Sequence, residues 1–451
     1  MRRLFGTDGV RGVANEFLTC EMALEIGRAA ATVLSGQKHY KSKMIVGYDT
    51  RISSEMLASA LAAGLCSVGA DVVILGVVPT PAIAYLVGKY AATAGIMISA
   101  SHNAYEYNGI KIFGGDGFKL PDELEEQIES IVLDHSPEPA HAASRQIGRI
   151  YIEDSAVRDY IEHLRESTPT RFDGLRIALD CANGSASRSA ETFFTSLGAE
   201  CVMLSDNPDG ININDKCGST HLEQLSAYVK RHKLDGGAAF DGDADRCLMV
   251  DENGEEIDGD MIMAMMALDM KKRGKLKKNT VVGTIMTNFG FSKFCEENGL
   301  TFIPAKVGDR YVLETLNLED LSFGGEQSGH LILRDYATTG DGQLTAAHVL
   351  SMMANTKKPL SELKKTMRRY PQYLVNLRVS PEGKIAFYTD RDVRAIIADA
   401  EKEIGDNGRL VVRPSGTEPL LRVMMEGADE EKVRAMTERV AAAIAEKLAA
   451  Y

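Results

Sequence analysis

An apolar run at Met44 to Val46 gives way to a turn over 47–51, then to helically spaced apolar positions from Glu55 to Gly69, then to a second apolar run, Val72 to Leu75. Two short runs around one helix-length stretch predict a strand, a helix and a second strand. The rhythm returns at Arg176 to Asp180 and Glu200 to Leu204, around a stretch bearing Ala, Ser and Phe. It returns again at 280–284, 290–298 and 300–304. Three such α/β units in series predict mixed, mostly parallel sheets covered by helices, with ligands at the carboxyl ends of strands. After Tyr370-Pro371 the rhythm stops. A strand, a helix with two strands and a terminal amphipathic helix over 429–450 predict a smaller α+β domain there.

The punctuation between units sets the boundaries. A Pro/Ala/Ser stretch over 133–144 and a helical segment running to Ser167 place the first near residue 155. The hairpin-like turn Asp251-Glu-Asn-Gly254, ahead of a Met-rich helix from Asp260, places the second near 255. The reading is four domains, 1–155, 156–255, 256–370 and 371–451, which agrees with the number expected for a 451-residue chain. The Met stripe reads as core.

Composition narrows the function classes. With 44% hydrophobic and 25% charged residues the chain is an ordinary globular protein. A net charge of −13 opposes nucleic acid and anionic membranes, so an anionic ligand must find a local cluster of cations or backbone N–H groups. The charged N-terminus has no apolar signal-peptide core behind it and no later run approaches the length of a membrane span, so the expectation is a cytoplasmic protein. Seven cysteines without a C-x-x-C pair read as reduced thiols in the core.

Against that field, four segments carry candidate chemistry. Asp241-Gly-Asp243-Ala-Asp245-Arg246 lies between an apolar run and a strand. Three alternating carboxylates converge on one hard cation if the loop curls, and oxygen ligands select Mg²⁺, Ca²⁺ or Mn²⁺. An EF-hand loop fails because Arg246 stands where Gly is required; a solvated acidic turn is the plainer alternative. Ser101-His102-Asn103 ends an apolar strand, where a nucleophile or phosphate acceptor belongs in an α/β domain, although such a serine also serves as an ordinary turn residue. Arg413-Pro-Ser415-Gly416-Thr417-Glu418 with Arg422 concentrates phosphate-compatible donors. Gly324-Gly325-Glu326-Gln327-Ser328-Gly329-His330 is a Gly-spaced polar loop suited to a polyhydroxyl ligand. Neither a P-loop nor a G-x-G-x-x-G is present, which removes the usual support for nucleotide-driven chemistry.

In this order, and together with Phe5-Gly-Thr-Asp-Gly-Val-Arg11-Gly, these segments resemble the α-D-phosphohexomutase family over the whole chain. The resemblance implies a four-domain enzyme around one central cleft, each domain contributing one motif. It implies that Ser101 is a phosphoserine and that its phosphate, with Asp241, Asp243 and Asp245, holds one Mg²⁺ per subunit. Glu326 and Ser328 would read sugar hydroxyls, with Thr7, Arg11, Lys306, Asp309 and Arg310 as further substrate contacts. Arg413, Ser415, Gly416, Thr417 and Arg422 would grip the non-reacting phosphate. Arg246 and Lys111 would stabilise the transferring oxygens, and Lys111, His102 and His330 are unranked candidates for the general base.

Within the family, the N-terminal motif and the Glu326-Gln327-Ser328 form resemble the branch that interconverts glucosamine 6- and 1-phosphates, with a 1,6-bisphosphate as intermediate and activator, feeding UDP-N-acetylglucosamine and cell-wall synthesis. The glucose and mannose phosphate branches are the alternatives, and a Mg²⁺-dependent phosphatase stands further off. The expected partner is a small sugar phosphate, with neither nucleic acid nor membrane, in a monomer or homodimer. Ala104 stands where the family pattern commonly has Pro, and Tyr107 where it commonly has Asp, so the serine loop is expected to be looser. Charge agrees with what the resemblance implies: a phosphoserine of about −1.5 to −2 charges beside three carboxylates is repulsive without a divalent cation.

Overall fold

The structure is a computed structural model that describes residues 3–6, 8–36, 41–415 and 419–449. Its strands fall into four sheets in chain order. The first holds β1 (Val10–Val13), β2 (Lys43–Tyr48), β3 (Asp71–Val77), β4 (Ala94–Ile98), β5 (Tyr107–Gly114) and β6 (Ile150–Ile152), ordered β1-β5-β4-β2-β3-β6. The second is built from β7 (Arg176–Asp180), β8 (Glu200–Leu204), β9 (Gly236–Phe240), β10 (Cys247–Asp251) and β11 (Glu256–Ile257), ordered β11-β10-β9-β7-β8. The third contains β12 (Thr280–Thr284), β13 (Thr301–Ala305), β14 (Phe323–Gly325) and β15 (Leu331–Leu333), ordered β13-β12-β14-β15. All three combine a parallel set with antiparallel strands at one side. The fourth, β16 (Gln372–Arg378), β17 (Gly408–Pro414) and β18 (Leu420–Gly427), is wholly antiparallel.

Central strands read as unbroken apolar runs because helices cover both faces: every residue of β4 and of β9 is buried. The helices begin where the sequence supplies acceptors. Asp258 takes the Met261 N–H ahead of helix Gly259–Lys272, and Asp341 takes the Leu344 N–H ahead of helix Gly342–Thr356. The Met stripe is core, with Met261, Met263, Met265, Met266 and Met270 all buried. The cysteines are all free thiols, and most are buried.

One apolar cluster runs from Ile45 and Leu86 of the first sheet's layer through Phe172 and Phe240 to Phe291 and Phe323, so the first three units share a core. The C-terminal unit has its own, built on Val393, Leu421, Val423, Met436 and Ile444. It carries two helices between β16 and β17, Pro381–Thr389 and Arg391–Ile404, where the sequence pattern predicts one. The cause is Asp390, which accepts N–H groups from Asp392 and Val393 and restarts the helix. Contact with the rest runs through buried Glu426, which accepts from Asn288 Nδ2 at 3.1 Å and the Phe289 N–H at 3.2 Å, and through Arg409, which donates to Thr287 O at 2.7 Å.

Candidate active site

Ser101 lies three residues beyond β4 and adopts φ +53°, a left-handed conformation that costs a non-glycine residue about 1–2 kcal/mol. Its surroundings fix that geometry. The Ser101 N–H donates to Ser99 Oγ at 2.9 Å, and Ser99 Oγ donates to Asp49 Oδ2 at 2.6 Å. Arg51, fully buried and paired through Nε with Asp49 at 2.8 Å, donates to Ser101 O and Asn103 O, both at 2.9 Å, and also to Ala104 O. Asn214, from the second unit, donates through Nδ2 to the same Ser101 O and Asn103 O, again at 2.9 Å. Without a ring at 104, the loop is tied by its carbonyls to donors from two units.

That arrangement carries a first prediction. Asn214→Asp keeps shape and tolerance of the left-handed φ of +58°, but turns the donor into an oxygen facing two carbonyl oxygens. The expected outcome is a kcat lowered by about 10- to 100-fold with KM and melting temperature near wild type, because misplacing a reacting group by about 1 Å costs a factor of that order. Steady-state kinetics beside a thermal melt check it.

The acidic loop meets this serine. Fully buried β9 delivers the chain to Asp241, and β10 takes it away antiparallel after Arg246. Between them Ala244 turns with φ +57°, and the loop curls until one ligand oxygen from each of Asp241, Asp243 and Asp245 lies within 4.8 Å of the others. Gly242 permits the approach, since a Cβ there would sit 2.5 Å from Ser101 O. Ser101 Oγ donates to Asp241 Oδ2 at 2.5 Å, and Asp243 Oδ2 accepts from Thr80 Oγ1 at 2.6 Å and Lys111 Nζ at 2.8 Å. Asp243 Oδ1 and Asp245 Oδ1 are buried without a hydrogen-bond partner. Unsatisfied carboxylate oxygens converging in a buried loop fit a hard divalent cation. Burial and the charges of Asp245 and Asp243 push the Asp241 carboxyl well up, whereas Asp245, although buried, is held well down by Lys111 and His330.

Cations close the site. Lys111 is buried 2.8 Å from Asp243, 3.0 Å from Asp8 and 3.6 Å from Asp245; burial opposes its charge, but these carboxylates outweigh it and hold the ammonium protonated. Lys119 bridges Asp8 and Asp309, and Arg11 on β1 pairs with Asp8. The buried Nε atoms of Arg11 and Arg246 have no hydrogen-bond partner, which leaves donors for an anion.

The three base candidates separate on geometry. Lys111 is committed to carboxylates. His330 accepts the Gly340 N–H at Nε2, 3.0 Å away, which leaves its proton on Nδ1, 3.5 Å from Asp245. His102 Nδ1 stands 3.4 Å from Ser101 Oγ, and burial with Arg246 and Arg11 nearby pushes it down to about 4, so it is neutral near pH 7.

The remaining sequence candidates divide. Glu326 Oε1 accepts the Gly308 N–H at 3.0 Å, and Ser328 Oγ is buried without a hydrogen-bond partner. Lys306 is exposed, its Nζ 5.5 Å from the centre of the Tyr311 ring. Asp309 is tied to Lys119. Arg310 pairs with Glu125 at 3.0 Å, with Asp122 and with Leu120 O at 3.1 Å, and so bridges the third unit to the first. Arg413 and Arg422 are direct cross-strand partners on β17 and β18. Like charges so placed repel, and burial with Arg422 lowers the Arg413 pKa, so the pair is set for an anion. Ser415 closes the strand end with its N–H on Leu420 O at 2.8 Å, while Lys384 donates to Ser415 O at 2.8 Å and adds a cation. Thr7, Gly416 and Thr417 lie outside the described residues.

Sequence reasoning missed Asp49, Arg51, Thr80, Lys119 and Asn214, and gave Asp8 no role. Asp49 and Arg51 were within reach, because they follow β2 just as Ser101 follows its parallel neighbour β4.

Residues 2–138, 158–254, 258–370 and 374–443 match the four domains, I to IV in chain order, of the family described as phosphoglucomutase/phosphomannomutase. A phosphoglucosamine mutase of Acetivibrio thermocellus is 48% identical over 448 residues, spanning 99% of this chain and all of that protein. One from Caldanaerobacter subterraneus subsp. tengcongensis is 51% identical with the same coverage. Among solved structures, a phosphoglucomutase/phosphomannomutase family protein of Burkholderia thailandensis superposes with a TM-score of 0.83 at 24% identity, covering 99% of this chain and 98% of that one. An N-acetylphosphoglucosamine mutase of Aspergillus fumigatus, in complex with GlcNAc-6P and magnesium, gives 0.71 at 16% identity, covering 99% and 96%. Among the described residues no helix is long and apolar enough to cross a membrane.

Proposed function

The chain belongs to the phosphoglucomutase/phosphomannomutase family, the α-D-phosphohexomutases, and from that premise we propose that it is a mutase interconverting glucosamine 6-phosphate and glucosamine 1-phosphate. The observation that carries the reading is the meeting of Ser101 Oγ with Asp241 at 2.5 Å, in a buried carboxylate cluster that retains two unsatisfied oxygens. A phosphoryl carrier and a cation site from different units form one centre. That combination serves phosphoryl transfer and is excessive for a turn.

Asp241, Asp243, Asp245 and the Ser101 phosphate would hold Mg²⁺, as the magnesium in the A. fumigatus enzyme supports. Bound there, the ion supplies charge neutralisation and alignment of the transferring oxygens. In the forward direction the bond from phosphorus to Ser101 Oγ breaks and one to O1 of glucosamine 6-phosphate forms; neutral His102, 3.4 Å from Ser101 Oγ, takes the proton shed by the sugar hydroxyl and returns it to the departing serine oxygen. Lys111 and Arg246 face the transferring oxygens with fixed positive charge. The resulting 1,6-bisphosphate turns in the cleft and returns its 6-phosphoryl to Ser101, leaving glucosamine 1-phosphate. Glu326 and Ser328 read sugar hydroxyls, and Arg413 with Arg422 holds whichever phosphate is not reacting. Such an enzyme works in the cytoplasm, where its sugar phosphates are made.

Intact-mass analysis tests the carrier. After incubation with glucosamine 1,6-bisphosphate, the wild type is expected to carry one phosphate, mapped to Ser101; a phosphate elsewhere, or none, overturns the assignment. A second prediction concerns the grip. Arg422→Ala removes one fork of a charge-assisted phosphate clamp and should raise KM about tenfold or more for both sugar phosphates. It should also increase the demand for added 1,6-bisphosphate, because the intermediate escapes more often. Kinetics in both directions, with and without the bisphosphate, check it.

A further inference from the structure

Three backbone donors fix the main chain of the acidic loop. Gly242 O accepts the Ser185 N–H at 2.9 Å, Asp243 O accepts the Thr80 N–H at 2.9 Å and Ala244 O accepts the Gly342 N–H at 3.0 Å. Ser185 belongs to the second unit, Thr80 to the first and Gly342 to the third, so the loop is clasped from three sides. Of these donors only Thr80 also reaches a carboxylate: its Oγ1 donates to Asp243 Oδ2 at 2.6 Å, whereas Ser185 Oγ has no hydrogen-bond partner and Gly342 has no side chain.

The hydroxyl bond is not needed to seat the loop. Thr80 opens helix Thr80–Lys89, so its N–H has no acceptor within the helix, and Asp243 O satisfies it. The hydroxyl acts on a softer coordinate, the torsion that turns a carboxylate about its last bond, which is broad and two-fold. In Asp243, Oδ2 accepts from Thr80 Oγ1 and from Lys111 Nζ at 2.8 Å, while Oδ1 is buried with no hydrogen-bond partner. The two donors thus select which oxygen is left bare. They are not equivalent. Lys111 spreads one charge over three carboxylates, with Asp8 at 3.0 Å and Asp245 at 3.6 Å. Thr80 commits a single hydroxyl proton from a β-branched, fully buried side chain, so its bond has one direction. At 2.6 Å it lies in the short range of an O–H donor on a charged carboxylate.

We propose that Thr80 is a positioning residue for the cation site: from the first unit its hydroxyl pins Asp243 Oδ2, and so turns Oδ1 of a second-unit ligand toward the metal. This role rests on the acidic loop being a Mg²⁺ site. It gives the seam between the two units a task. Ser101 and Thr80 stand on one side of the seam and Asp241 and Asp243 on the other, and each first-unit hydroxyl meets one aspartate, at 2.5 and 2.6 Å. Without the Thr80 hydroxyl, Asp243 turns its bare oxygen to Lys111 as readily as to a cation, and metal affinity falls. Loss of such an outer hydrogen bond to a ligand costs about 10- to 100-fold in affinity. Thr80 acts through Asp243 and touches no reacting atom, so sugar phosphate binding is left alone.

The test titrates the metal-stripped full chain with Mg²⁺ alone and reads half-saturation by calorimetry and by the rise in melting temperature. Thr80→Val, which keeps the shape and removes the hydroxyl, should need about tenfold or more Mg²⁺, and Thr80→Ser, which keeps the hydroxyl, should stay near wild type. Thr80→Ala should weaken as Thr80→Val does. The Mg²⁺ concentration for half-maximal turnover should rise by the same factor, with KM for glucosamine 6-phosphate near wild type once Mg²⁺ is saturating. A role in packing alone would lower the metal-free melting temperature and leave the Mg²⁺ midpoint where it is. If Thr80→Val fails to fold, Thr80→Ser and Thr80→Ala, which also differ from each other by one hydroxyl, give the same comparison. A wild type that binds no Mg²⁺ removes the metal site and this role with it. A wild type that binds Mg²⁺, matched by Thr80→Val or with Thr80→Ser no better than Thr80→Ala, overturns the role of Thr80 and leaves the metal site standing.

Discussion

Ser101→Ala should lose normal mutase turnover, by about 10⁴-fold or more, while the protein stays folded and metal-competent. A group that carries the reacting phosphoryl cannot be replaced by binding energy alone, and removal of a catalytic nucleophile costs factors of about that order. The fold survives because the loop is held through backbone: Arg51 and Asn214 bind Ser101 O, and Ser99 Oγ receives the Ser101 N–H. None of these contacts uses the hydroxyl. The alanine variant should therefore melt within a few degrees of wild type and remain unphosphorylated after exposure to the bisphosphate. Comparison of kcat, melting temperature and intact mass reads all three, and wild-type-like turnover would remove Ser101 from the mechanism.

Metal removal should be nearly as severe. After thorough chelation, turnover should fall to background and return with Mg²⁺, and excess Ca²⁺ should inhibit, because its longer bonds and looser geometry suit an in-line transfer poorly. The triad carries a second readout. Asp243 Oδ1 and Asp245 Oδ1 are buried without hydrogen-bond partners, so a cation that satisfies them binds the folded chain alone. At about 100 times its Kd such a ligand stabilises by about 2.7 kcal/mol, and Mg²⁺ should raise the melting temperature accordingly. Asp243→Asn should reduce turnover and this thermal shift together. Lys111 remains neutralised in that variant by Asp8, 3.0 Å away, and by Asp245, so loss of fold is not the expected cause.

Much of this was legible before the structure, and the reason is local. The strands around Ser101 and the acidic loop are buried on both faces, which writes them into the sequence as apolar runs, and the polar residues that interrupt those runs are the chemistry. The single helix expected after β16 failed because one capping residue, Asp390, splits the segment. The resemblance implies Arg310 as a substrate contact but could not show its partners Glu125 and Asp122, which come from a helix nearly two hundred positions earlier. The same distance hid Asn214 and Thr80, whose roles exist only once the second unit is folded against the first. Spacing reports what one segment offers; it does not report which segments meet.

The central claim is that this centre moves a phosphoryl group within a glucosamine phosphate and keeps it. A coupled turnover assay across the 1- and 6-phosphates of glucosamine, glucose and mannose, with and without the matching 1,6-bisphosphate, tests it most directly. The account predicts highest kcat/KM for glucosamine phosphates, stimulation by the bisphosphate and no net release of inorganic phosphate. Preference for glucose or mannose phosphates, or stoichiometric phosphate release without a bisphosphate requirement, would contradict it.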